Sequence, residues 1–349
     1  MTCIATLRPT MSIHRSLCRR RLRALAFVIV LGNGSLLSCV SEPERAARQP
    51  NVATRHAPVA PSASGIAEPS RTAVPISTET SDPAHAFNPP AFLRLPETLR
   101  AGERAPLLLV LHGFGVSSSL LIAKAGLNAL ADQKKFAYLA PEGGRDALGR
   151  PFWNAGKSCC DLDHRQYNDV KRLRELLVAN LSNAAIDPQR VFVIGYSNGG
   201  FMAQRLACEV GDRIAGVVSV AGASPSPDVP CAQSSSLSVL EIHGDADPIV
   251  HYAGGTVFDR TDVAPHASAP ASAKYWAEHL SCKTPPRELR PIDLEPYVPE
   301  PETSVQRYED CRGAVELWTV KGGGHYVALQ PPALEAIWGF LQAHPKGGA

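Results

Sequence analysis

The chain has no internal repeat, no metal-ligand spacing, little excess charge and no apolar run long enough to cross a bilayer. A membrane-spanning helix needs roughly 20 apolar residues, and the longest such stretch, Ala24 to Leu37, falls short. The net charge is only +2, and it belongs to one end. Residues 1–39 hold six arginines and no acid, which leaves 29 basic against 33 acidic residues in the remainder. A nucleic-acid partner needs a basic footprint, and none is present there. No His/Cys/Asp spacing suits zinc, and Asp245-Ala246-Asp247 lacks the rest of a calcium loop. These absences argue against nucleic-acid binding and metal chemistry, and leave an N-terminal anchor as the one membrane contact to expect.

What is present begins with a leader. Arg19-Arg20-Arg21-Leu22-Arg23 is a basic segment before the apolar run, the order of an export signal. The run ends Leu36-Leu37-Ser38-Cys39, which resembles the lipobox of bacterial lipoproteins and would make Cys39 the lipidated N-terminus. Leu37 is bulkier than usual there, so ordinary secretory cleavage is the alternative. The protein is therefore expected outside the cytoplasm, as an envelope lipoprotein or a secreted protein. Residues 40–90 carry nine prolines and one aromatic, Phe87, and read as an extended linker that cannot bury enough apolar surface to fold.

From residue 91 to 349 the pattern is that of one domain. Apolar runs at 107–111, 136–140, 190–196, 216–221, 238–243 and 316–320 predict strands. Between them, helical spacing predicts helices at 118–133, around 170–181 (closed by Asp187-Pro188), 199–210, 271–280 and 332–343. Strands alternating with helices imply an α/β fold, a mostly parallel central sheet with helices on both faces. In such sheets reactive groups collect beyond the carboxyl ends of the strands.

Gly195-Tyr196-Ser197-Asn198-Gly199 lies between a predicted strand and a predicted helix. This G-x-S-x-G pattern forms a nucleophile elbow, a strained turn that lifts one serine hydroxyl above the sheet edge. Side chains two residues away on either side would collide, hence the glycines. A serine hydroxyl needs a base, and the base needs an orienting acid. After the strand at 238–243 comes Gly244-Asp245-Ala246-Asp247-Pro248, and after the strand at 316–320 comes Gly322-Gly323-Gly324-His325. Ser197, His325 and Asp247 are thus the expected triad, with Asp245 the rival acid. Phe114 and Asn198 are the expected N–H donors of an oxyanion hole. His112 and His243 read as structural strand-end residues. Trp153, Tyr196, Tyr252 and Tyr326 are candidates for the substrate cleft, Trp153 equally for the core.

The order of these motifs resembles the α/β-hydrolases, and more narrowly the secreted polyhydroxybutyrate depolymerase and feruloyl esterase group. The residues that carry the resemblance are Leu109-Val110-Leu111-His112-Gly113, Trp153-Asn154-Ala155-Gly156 with Cys159-Cys160, and Gly195 to Gly200. To these are added His243-Gly244 with Ala246-Asp247, Val250 with Tyr252, and Gly322 to His325. The chain departs from that group at Tyr326-Val327-Ala328, at His251 and at Asp161, positions that flank the site and bear on the substrate. The resemblance implies serine ester hydrolysis without a cofactor. A monomer is expected, and polyhydroxybutyrate-type, feruloyl or acetyl polysaccharide, and small acyl esters are all open as substrates. A peptidase on the same scaffold and a non-catalytic binding protein derived from a hydrolase are the rivals. Six cysteines remain beyond the leader and linker, an even count that suits disulfides in an exported protein. The resemblance pairs Cys282 with Cys311, and Cys159 and Cys160 would then reach Cys208 and Cys231 in an unassigned order.

Overall fold

Leu107, Leu109 and Leu111 pack on one face of strand β2 (Ala105–Leu111), and Leu108 and Val110 on the other. A strand with apolar side chains on both faces must be covered on both. The computed structural model describes residues 91–227, 229–231, 236–298 and 301–346. The expected leader, the Cys39 lipidation site and the 40–90 linker lie outside the described residues.

In chain order β1 (Leu93–Arg94) and β2 precede helices α1 (Ser118–Lys124) and α2 (Leu127–Lys134). Next come β3 (Ala137–Leu139), the hairpin β4 (Gly144–Arg145) and β5 (Pro151–Phe152), and α3 (Asp169–Leu181). β6 (Ile186–Tyr196), α4 (Asn198–Glu209), β7 (Gly216–Val220), β8 (Ser238–Gly244) and α5 (Ala269–His279) form the middle of the domain. β9 (Lys283–Glu288), β10 (Thr303–Glu309), β11 (Val315–Val320) and α6 (Pro331–Ala343) complete it.

Nine strands form one sheet in the order β1-β3-β2-β6-β7-β8-β11-β10-β9. The six strands from β3 to β11 run parallel, and antiparallel strands flank them at both edges. Leu173 and Leu177 of α3, Phe201, Met202 and Leu206 of α4, and Trp276 of α5 cover one face. Leu121 of α1, Leu127 and Leu130 of α2, and Ile337, Trp338 and Leu341 of α6 cover the other. Each fully buried leucine here contributes about 1.5–3 kcal/mol relative to exposure. β2 leads on to β3 on one side and β6 leads on to β7 on the other, so the sheet's switch point lies between β2 and β6. The loops after these two strands carry Phe114 and Ser197.

Three expectations need correction. The single helix at 118–133 is two, because Gly126 takes a left-handed φ of 58° between α1 and α2. Asp187-Pro188 does not close α3, which ends at Leu181. Instead the dipeptide lies in β6, where the pairing with β2 shifts register and a missing N–H is tolerated. The disulfides also differ. Cys282 is bonded to Cys311, but Cys159 is bonded to its neighbour Cys160, and Cys208 to Cys231. Cys159 is buried against the Asn198 amide, while Cys208, at the end of α4, comes within 4.2 Å of Cys231 between Cα atoms. The Cys282–Cys311 bond ties the end of α5 to the β10–β11 turn, just ahead of the strand that leads to His325. Cys282→Ser is expected to lower stability by about 3–4 kcal/mol in the chain-entropy model. A urea unfolding curve that matches the unsubstituted protein would contradict this.

Candidate active site

Ser197 sits between β6 and α4 with φ 54° and ψ −119°, a conformation that L-residues avoid. Such strain costs about 1–3 kcal/mol and persists only where the surroundings impose it. The glycines on either side show what imposes it. A Cβ on Gly195 would lie 1.9 Å from the Gly199 carbonyl oxygen, and one on Gly199 would lie 2.2 Å from that of Leu111. The turn is thus packed backbone against backbone, against the end of β2, and the serine has one direction left.

Three loops converge at that hydroxyl. His325 Nε2 lies 2.9 Å from Ser197 Oγ, and His325 Nδ1 lies 2.7 Å from Asp247 Oδ2. Asp247 and His325 follow the adjacent parallel strands β8 and β11. All three side chains are largely buried. Asp247 Oδ1 accepts the N–H groups of Ile249 (2.8 Å) and Val250 (2.9 Å), which turn the chain around the carboxylate. Burial alone would raise the pKa of Asp247. Hydrogen bonds from His243, His325 and the Ile249 N–H outweigh it and hold the carboxyl well below its usual range. Asp245, the rival, is engaged elsewhere. Its Oδ1 accepts the Gly322 N–H at 2.6 Å, which fixes the glycine loop that presents His325.

The loops that carry the two expected oxyanion donors also adjoin. A Cβ on Gly113 would touch the Ser197 Cβ at 3.4 Å, so the loop after β2 lies against the nucleophile. Among the described residues, neither Phe114 N–H nor Asn198 N–H has a backbone acceptor. The loop is held by a buried relay. The Asn198 side chain exchanges two hydrogen bonds with the backbone of Trp153 (2.7 and 2.8 Å), and Trp153 Nε1 donates to the His112 carbonyl at 3.0 Å. His112 Nε2 accepts the Gly143 N–H at 2.9 Å, so its proton sits on Nδ1, 2.8 Å from the Gly113 oxygen. The neutral ring is what burial favours, and burial lowers its pKa.

Of the four cleft candidates, Tyr196 is corrected and Trp153 takes the core reading. Trp153 is fully buried, bound to Asn198 and His112 as above. Tyr196 is buried as well, its hydroxyl shared between the carbonyls of His325 (2.8 Å) and Val327 (2.9 Å), so it anchors the histidine loop. Both have amphipathic side chains whose polar end found a backbone partner. Tyr252 is half-buried with its hydroxyl 2.9 Å from Thr319 Oγ1. Tyr326 stands exposed beside His325, ring centroids 5.3 Å apart. Around Phe114 lie residues that sequence reasoning missed. Phe258 reaches back to the Phe114 ring at 6.1 Å, and the Arg150 guanidinium lies 4.8 Å from the same ring. No local pattern marks either residue, because each arrives through the path of a loop.

Among the described residues no group of three or more His, Cys, Asp or Glu could hold a metal ion, and no helix is long and apolar enough to cross a membrane. Residues 99–262 match the Phospholipase/Carboxylesterase family. The chain is 36% identical over 231 residues to the protein named "Putative esterase NocK" from Nocardia uniformis subsp. tsuyamanensis, covering 64% of this chain and 65% of that one. It is 28% identical over 245 residues to "Feruloyl esterase B" of Piromyces equi, covering 67% of this chain and 42% of that one. The chain thus spans less than two thirds of either relative. The acetyl xylan esterase from Aspergillus awamori shares the fold, with a TM-score of 0.52 at 14% identity over 72% of this chain and 93% of that one.

Proposed function

We propose that this chain, an α/β-hydrolase by fold and sequence similarity, is an exported serine carboxylesterase. One observation carries the reading: a strained serine whose hydroxyl, an imidazole and a buried carboxylate form a continuous hydrogen-bonded line. That line is the arrangement that turns a serine into a nucleophile.

Ser197 Oγ attacks the ester carbonyl while His325 Nε2 takes its proton. Asp247 keeps the other proton on His325 Nδ1 and stabilises the imidazolium. The tetrahedral oxyanion is met by the N–H groups of Phe114 and Asn198, the latter at the first turn of α4, where the helix dipole adds positive potential. His325 returns the proton to the leaving alcohol. Water then attacks the acyl-enzyme by the same roles reversed, and no cofactor takes part. The substrate is a small or polymeric ester.

A panel of short acyl, hydroxybutyrate, acetyl and feruloyl esters, each beside its amide, tests the reading. Hydrolysis of esters with amides left intact is expected, and cleavage of the amides alone would overturn it in favour of a peptidase. Export rests on the leader, and the tether on Cys39. In a bacterial host that processes lipoproteins, the full chain is expected in the membrane fraction and Cys39→Ser in the soluble exported fraction. Equal partition of the two would refute the lipid anchor.

A further inference from the structure

Behind the catalytic carboxylate runs a line of buried polar groups that the proposed reaction does not use. Trp276 Nε1, in α5, donates to Gln204 Oε1 of α4 at 2.6 Å. An indole N–H can only donate, so the Gln204 oxygen faces Trp276 and its amide nitrogen faces the other way. That nitrogen lies 2.5 Å from Glu241 Oε2, which therefore accepts. Glu241 Oε1 lies 3.4 Å from His243 Nδ1. His243 Nε2 lies 2.7 Å from the Val250 carbonyl and 3.4 Å from Asp247 Oδ2. Glu241, His243 and Gln204 are each at most 1% exposed.

Both ring nitrogens of His243 face oxygen acceptors, a carboxylate on one side and a carbonyl with a second carboxylate on the other. A neutral imidazole could donate to only one of them. We infer that His243 is a buried imidazolium between Glu241 and Asp247, a positioning residue that aims the Asp247 carboxylate and moderates its pull on the proton of His325. The inference rests on the esterase reading of the same site.

The surroundings agree. Two ionised carboxylates in one dry pocket are stabilised by a cation between them, since an unpaired buried charge is strongly destabilising. Burial pushes Glu241 up to about 7, against the hydrogen bond from His243. Burial would lower His243, but hydrogen bonds with Asp247 and Glu241 outweigh it and raise the ring to about 9. Between these values the proton belongs on the histidine. The other groups around the ring are Tyr252, packed edge-on at 5.8 Å; Thr319 on β11, its register partner; and His266, whose own pKa burial lowers. None of them supplies a competing charge at neutral pH.

The charge order Glu⁻, His⁺, Asp⁻ has a kinetic consequence. The cation offsets part of the field that Asp247 exerts on the catalytic imidazole. Without it the carboxylate holds the proton of His325 more firmly, and the base becomes available only at higher pH. His243→Gln keeps an amide N–H for the Val250 carbonyl and removes the charge, but it strands Glu241. The double variant Glu241→Gln/His243→Gln removes both charges together and is the variant expected to fold.

The test is the pH profile of kcat/KM on a small ester for both variants, with ring ¹⁵N NMR of His243 in the unsubstituted protein. The acid limb is expected to move up by about one pH unit in the double variant, so that activity below the limb falls about tenfold with KM unchanged. Both His243 nitrogens should carry protons from pH 6 to 8. A fall in kcat at every pH with the limb unmoved assigns a merely structural role and overturns the inference, as does a double variant with the original profile. The NMR arm needs no turnover. A chain inactive on every ester but with a doubly protonated His243 refutes the esterase reading alone, and an active chain with a neutral His243 refutes this inference alone.

Discussion

Ser197→Ala is expected to lower kcat on a short acyl ester by about a million-fold, leaving only what the oxyanion donors and binding supply. The size follows from the site's construction. The hydroxyl is the one group placed by the strained turn, and no other described serine combines that backbone with a 2.9 Å contact to an imidazole. Because the methyl of alanine fits the space of the serine Cβ, the fold should be unaffected. Thermal unfolding together with the initial rate separates the two effects. Residual activity within tenfold of the unsubstituted protein would mean that the nucleophile lies elsewhere.

Asp247→Asn is the second large effect, a loss of about 10⁴-fold in kcat at neutral pH. The asparagine would fill the same volume and still accept from Ile249 and Val250. It can present an amide N–H to His325 Nδ1, which would hold the ring in the wrong tautomer, with its proton aimed at Ser197. Asp245→Asn is the control. The oxygen of an asparagine there would still accept the Gly322 N–H, so the exposed site should lose about 0.5 kcal/mol of stability or less and kcat should stay within a few-fold. Since Asp247 is held well below the usual carboxylate range, it stays ionised wherever the enzyme is active. The acid limb of the rate profile therefore reports the base and not the acid. Equal losses from the two substitutions would remove the distinction between them.

The central sheet was legible because its strands are apolar on both faces, and a run such as Leu107 to Leu111 has no other comfortable home. The elbow was legible for a steric reason: the Gly195 and Gly199 positions have no room for a Cβ, so the sequence must show glycine there. What stayed hidden lacked such a signature. β9 contains Pro285 and Pro286 and is tolerated only because it is an edge strand. β10, Thr303–Glu309, pairs with β11 on one side and β9 on the other, and its mixed polar sequence shows no apolar run. Tyr196 does not suit the cleft and Trp153 resolves to the core, outcomes hidden because composition does not say whether an indole N–H or a phenol will meet backbone or substrate. The Glu241-His243 pair is two residues apart on one strand, so both side chains point to the same face. That spacing was visible, but the partners from α4 and α5 that complete it come from the tertiary fold alone.

The most direct test is a crystal structure of the protein after reaction with an alkyl fluorophosphonate. A phosphorus–oxygen bond to Ser197 Oγ is expected, with the phosphoryl oxygen about 2.7–3.1 Å from the N–H groups of both Phe114 and Asn198. An adduct on a different residue, no adduct at all, or a phosphoryl oxygen turned away from those two amides would contradict the account.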